Sequence, residues 1–145
     1  MKYSGSIEIN KPKELVSQLF ADPNLLHEYQ DGFIRKELVK GKEGENGAVS
    51  KMYYKYGKHD MILTETVVSN NLPDSFEAFY HHKHMDNIWK CKFVYLGINK
   101  TRYEYEFEYV RMSFIPKLMS FLIPGMYRRQ GEKWLRQFKE FVEKQ

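Results

Sequence analysis

The sequence predicts an α+β fold: a curved antiparallel sheet of about seven strands around a long C-terminal helix, with two short helices after the first strand. Three observations predict it. First, TRYEYEFEYV, residues 101–110, alternates strictly. Tyr103, Tyr105, Phe107 and Tyr109 take one side, and Arg102, Glu104, Glu106 and Glu108 the other, as in a half-buried strand. Second, comparable runs separated by turn residues fill the chain from Phe33 onward. Third, the period changes near the end. Tyr127, Gly131, Trp134, Leu135, Phe138, Phe141 and Val142 fall within an arc of about 120° at helical spacing.

Taken in order, Tyr3 to Asn10 alternates weakly and reads as a first strand. Asn10 is placed to cap the next helix, Pro12 suits its first turn, and Leu15, Val16, Leu19 and Phe20 form its apolar stripe. Asp22-Pro23 stops that helix and opens a short second one through Leu25, Leu26 and Tyr29, which Asp31-Gly32 ends. Strands are then expected at Phe33–Lys40, Ala48–Tyr56, Met61–Ser69, Ser75–Lys83, Asn87–Leu96 and in the 101–110 stretch. Their separators are the glycine-rich GKEGENG, Gly57-Lys58, NNLPD and GINK. The final helix runs from Pro124-Gly125 to about Val142. At about 18 residues it measures about 27 Å, as do strands of eight or nine residues, so it can lie along the sheet and cover its aromatic face. No repeat or linker interrupts the chain, and one domain is expected over residues 1–145.

Composition narrows the class. Of 145 residues, 42% are apolar and 29% charged, which is ordinary for a folded domain that needs no disulfide or metal staple. Aromatic residues reach 16%, more than a plain core needs. The single Cys91 suits a reducing compartment, no apolar run behind a basic segment suggests a secretory leader, and a cytoplasmic location is expected. Net charge is only +4, and the aromatics alternate with glutamates instead of lining a basic track, so nucleic acid is not an expected partner.

The layout resembles the SRPBCC or START-like superfamily, the helix-grip fold. The closest match is the opening: Ile9, Pro12, Val16, Leu19 or Phe20, Asp22 and Pro23, with Tyr29 where members commonly carry tryptophan. Leu72-Pro73-Asp74 and the C-terminal helix are similar too, so the resemblance spans nearly the whole chain. The departure is Phe114–Ile123, an apolar segment between the last strand and the long helix. The resemblance implies a pocket between sheet and helix that takes a small hydrophobic molecule. It does not choose among lipid carriers, polyketide cyclases and modules of the Hsp90-activator kind.

The expected walls of that pocket are Met52, Tyr54, Phe76, Tyr80, Trp89, Phe93, Tyr103, Tyr105, Phe107, Leu118, Tyr127, Gly131 and Trp134. Inward tyrosines need hydrogen-bond partners, and Gly131 on a buried helical stripe either leaves space for a ligand or permits close backbone packing. No nucleophile elbow, phosphate loop or HExxH motif is present, and no metal or organic cofactor is implied. The HHKH stretch, residues 81–84, reads as a solvated strand end, since two histidines sharing a face lack a third ligand. Cys91 reads as a small buried hydrophobe. Glu65 and His82 are the titratable groups whose face the pattern leaves open, and an enzyme of the cyclase type would need such a group inside. The 114–129 segment, edged by Lys117, Arg128 and Arg129, has three readings: a lid, a portal touching an anionic membrane surface, or a dimer patch. Oligomeric state is left open.

Overall fold

The computed structural model describes residues 1–145. Strand β1 (Lys2–Ile9) leads into helix α1 (Lys13–Ala21), a single 3-10 turn (Pro23–Leu25) and the short helix α2 (Leu26–Tyr29). Six strands follow: β2 (Phe33–Lys40), β3 (Val49–Tyr56), β4 (His59–Asn71), β5 (Ser75–His82), β6 (Met85–Gly97) and β7 (Lys100–Met112). Helix α3 (Phe114–Leu122) and the long helix α4 (Met126–Glu143) end the chain. The sheet order is β1-β7-β6-β5-β4-β3-β2, antiparallel throughout. The expected α+β architecture of seven strands and a long terminal helix is what the chain forms.

Three details differ from the sequence reading. Asn10 does not cap α1; Pro12 holds the cap position with no side-chain bond, and its carbonyl accepts from the Val16 N–H at 3.0 Å. The Asn10 N–H instead donates to Glu143 Oε2 at 2.7 Å, tying the end of β1 to the end of α4. Strands β4, β6 and β7 are each 13 residues long, beyond their apolar alternation. Tight turns keep the backbone ladders paired to the strand ends even where side chains no longer alternate. The 114–123 segment forms a nine-residue helix, and Gly125, at φ 78°, supplies the left-handed turn from it into α4.

Register shifts bend the sheet. They fall between Phe33 and Arg35, Leu38 and Lys40, Val67 and Ser69, Asp86 and Asn87, and Tyr95 and Gly97. Each inserts a residue on one strand and sharpens its twist, so the sheet curls toward α4. One end of the enclosed space is solid. There α1 and the C-terminal half of α4 meet the sheet, burying Ile9, Val16, Phe93, Phe138 and Val142. Phe20 packs edge-on against Phe76 and Phe93, each at 5.4 Å, and against Phe138 at 6.1 Å. The other end is covered only by the N-terminal half of α4.

Candidate ligand cavity

Between that half of α4 and the sheet lies a cavity of about 650 Å³, lined mainly by apolar and aromatic side chains. Eleven of the thirteen expected wall residues line it. Met52 and Tyr54 come from β3, Phe76 and Tyr80 from β5, Trp89 from β6, Tyr103, Tyr105 and Phe107 from β7, and Tyr127, Gly131 and Trp134 from α4. The four-ring alternation of β7 faces inward as a unit, since Tyr109 lines the same space. The Tyr105 ring stacks on Trp89 at 5.4 Å and 9° and folds over Gly5 on β1. A β-carbon at Gly5 would sit 2.7 Å from the Tyr105 hydroxyl, so glycine there lets the ring lie flat on the edge strand.

Two expected residues lie elsewhere. Phe93 is 2% exposed and belongs to the solid end, 5.0 Å from the Tyr103 ring, because α1 plugs the sheet at that level. Leu118 does not reach the cavity, because α3 packs outside the space between sheet and α4. The link from α3 to the cavity is Tyr127, whose hydroxyl donates to the Pro116 carbonyl at 3.1 Å.

Gly131 faces open space: a β-carbon built on it meets nothing within 4 Å. Two of the inward tyrosines find side-chain partners that the sequence did not reveal. Tyr54 donates to Gln30 Oε1 at 2.7 Å, and Tyr80 to Glu65 Oε2 at 2.7 Å. Burial holds the Tyr29, Tyr54, Tyr80 and Tyr103 phenols well above their ordinary pKa. The Cys91 thiol, buried on the same face, is pushed up to about 12 by burial, so it stays protonated. The Trp134 indole N–H is buried with no acceptor in the protein.

Asp31, Lys36, Glu43, Glu65, Arg128 and Lys133 all line the cavity, and of these Glu65 and Lys36 have the most buried side chains. Glu65 is 6% exposed, and its Oε1 accepts from Lys36 Nζ at 3.0 Å. Lys36 also donates to Glu43 Oε1 at 2.6 Å. Burial works to depress the Lys36 pKa, but the Glu65 charge and the Glu43 hydrogen bond together outweigh it, so the pKa is raised. Glu65 was detectable in the sequence: it shares a phase with Met61, Leu63 and Val67. Lys36 was not. Simple alternation from Phe33 puts Lys36 outside, and the shift between Phe33 and Arg35 turns it inward opposite Met52. Cross-strand pairing also sets Ser50, Glu65, Tyr80, Asn87 and Tyr109 side by side across β3 to β7, a polar strip over the inner face. Asn87, 8% exposed, lines the cavity beside Tyr80.

The histidines separate. His81 pairs with Asp86, which also holds Arg111 at 2.8 Å. His82 lines the cavity end, where burial and then the neighbouring His84 and Lys83 keep its pKa below the ordinary value. Its Nδ1 accepts from the His84 backbone N–H at 3.1 Å.

Neither a sequence-family model nor a curated protein sequence matches the chain. Solved structures do match its shape. Ara h 8.0201 superposes with a TM-score of 0.78 at 9% identity, over 99% of this chain and 95% of that one. The Zhui aromatase/cyclase from Streptomyces sp. R1128 gives 0.74 at 12%, over 99% and 93%. A START superfamily protein from Mycobacterium smegmatis gives 0.73 at 9%, over 98% and 94%. The chain shares the helix-grip fold of these structures. No helix in it is long and apolar enough to cross a membrane.

Proposed function

We propose that this chain binds and carries a small hydrophobic molecule, lipid-like or aromatic, in the cavity between sheet and α4. The observation that carries the reading is the cavity itself. Protein interiors hold few voids larger than a water molecule, and about 650 Å³ with apolar walls falls within the range of small-molecule sites. A protein-interaction module of the Hsp90-activator kind has no need of such a chamber. Native mass spectrometry of freshly purified protein tests the reading, together with titration of an uncharged apolar fluorophore, 1-methoxypyrene. A co-purified organic adduct or saturable uptake of the fluorophore supports it. Bare protein that takes up no fluorophore overturns it.

Access to the cavity is assigned to α3 and the start of α4. Phe114 and Phe121 are 74% and 80% exposed, and Ile115 and Leu122 are also largely exposed. Between Glu108 and Glu132 the chain carries no carboxylate side chain, while Lys117, Arg128 and Arg129 lie near this patch. Apolar side chains beside uncompensated cations suit transient contact with an anionic membrane surface.

A second reading is favoured by one observation. Glu65 and Lys36 face the chamber, so a cyclase or dehydratase acting on an aromatic or polyketide substrate would find titratable groups inside. Turnover of a poly-β-ketone thioester by the unaltered protein, lost in Glu65→Gln, is its expected signature; no turnover above background removes it.

A further inference from the structure

A chamber for purely apolar cargo has no use for a buried ion pair. Replacing such a pair by hydrophobic residues of similar size is often neutral or stabilising, so Lys36 and Glu65 need another reason to be there. Their arrangement supplies one. Glu65 Oε1 accepts from Lys36 and Oε2 from Tyr80, and a carboxylate offers about four lone-pair sites, so acceptor capacity remains on both oxygens. The Tyr80 hydroxyl donates its one hydrogen bond to Glu65, so toward the cavity it too can only accept. Tyr80 lies deep in the molecule yet keeps accessible surface, because that surface faces the cavity. The local charge is unbalanced: Glu65 and Glu43 together face the single ammonium of Lys36.

Resting on the carrier reading, we propose that the Lys36–Glu65–Tyr80 cluster is the recognition point for a hydrogen-bond donor, a hydroxyl or an amine, on an otherwise apolar ligand. The same cluster discriminates against carboxylate-headed amphiphiles. The donor group donates a hydrogen bond to the Glu65 or Tyr80 oxygen, and Asn87, next along the polar strip, is placed to hydrogen-bond the same ligand group. At this cluster an anionic head would meet the Glu43 and Glu65 carboxylates against the one Lys36 ammonium, whereas a donor finds acceptors already oriented by the sheet. The apolar body lies on the Trp89–Tyr105 stack beside the strip.

The test uses four probes with one aromatic body: 1-hydroxypyrene, 1-aminopyrene, 1-methoxypyrene and 1-pyrenecarboxylate. The full chain is expected to bind the first two roughly tenfold or more tighter than the methyl ether, and the carboxylate weakest. In the double variant Lys36→Met/Glu65→Leu the hydroxyl-over-ether preference falls to about unity while the ether still binds, which also reports an intact cavity. Glu65→Gln, a near-isosteric change, serves if the double variant does not fold. It is expected to lower the hydroxyl preference and to raise the affinity for the carboxylate probe. If all four probes bind the unaltered protein alike, the recognition point is refuted and the carrier reading stands. If the carboxylate probe binds tightest, Lys36 is an anion site and the proposal is overturned. If no probe binds, the carrier reading fails and the proposal with it.

Discussion

Gly131 decides whether the space under α4 is real. It is the sixth residue of an 18-residue helix, an interior position where glycine costs about 1 kcal/mol relative to alanine. Its missing side chain points at nothing within 4 Å. Gly131→Ala is therefore expected to stabilise the fold by about 1 kcal/mol, with no steric penalty to set against it. For a chain of this length that raises Tm by about 3–4 °C, read by thermal unfolding followed by circular dichroism. Gly131→Leu keeps most of that gain and adds four carbons. At roughly the 30 Å³ that a water molecule occupies for each, they remove on the order of 100 Å³ from the cavity. A probe that fills the space then meets an overpacked wall, at about 1–3 kcal/mol, so 1-methoxypyrene affinity falls by roughly five- to 150-fold. Stability up and uptake down is the expected pair of results. If Gly131→Ala instead lowers Tm by several degrees, a neighbour sits where the structure shows none, and the cavity argument collapses.

Two further perturbations follow from the same geometry. Tyr29, Tyr54, Tyr80, Tyr103 and Tyr109, held by burial, and Lys36, held by its carboxylate partners against burial, keep their protons more tightly in the folded state than their ordinary values imply. Their contribution is complete below the unfolded-state values, near 10.0 for tyrosine and 10.5 for lysine, and is lost as pH rises through the higher folded-state values. Stability should accordingly decline above about pH 10, with tyrosinate absorbance appearing together with unfolding; these five phenols titrating at their ordinary value in the folded protein would refute their burial. On the surface, Phe114→Ser/Phe121→Ser should alter stability by about 0.5 kcal/mol or less but weaken binding to phosphatidylserine-containing vesicles by roughly a hundredfold. Failure of the unaltered protein to co-sediment with those vesicles at low salt would end the portal assignment.

Most of the fold was legible because its signals are local. The inward rings of β7, the stripe on α4 and the turn residues between strands are properties of a dozen neighbouring residues each. The same locality set the limits of the site reading. Phe93 shows the same inward phase as Trp89, yet one faces the core and the other the cavity, because α1 fills only one end of the sheet. Phase says which face a residue takes, and says nothing about how high on that face the covering helices reach. Leu118 was misplaced for a related reason: an apolar segment shows that it has side chains suited to burial, not what covers them.

By itself, then, the sequence determined the α+β class, the seven strands, the long helix and the inward aromatic face. Chain-local periodicity and turn chemistry encode all of these. Only the tertiary structure decided that side chains leave the space under the first half of α4 unfilled, that Lys36 turns in through a register shift, and that Glu65, Tyr80 and Asn87 stand side by side. Those outcomes depend on pairing between residues 7 to 29 positions apart and on which helix covers which stretch of sheet. The cavity is thus a consequence of long-range geometry, because volume left unfilled between two elements is not a property of either one.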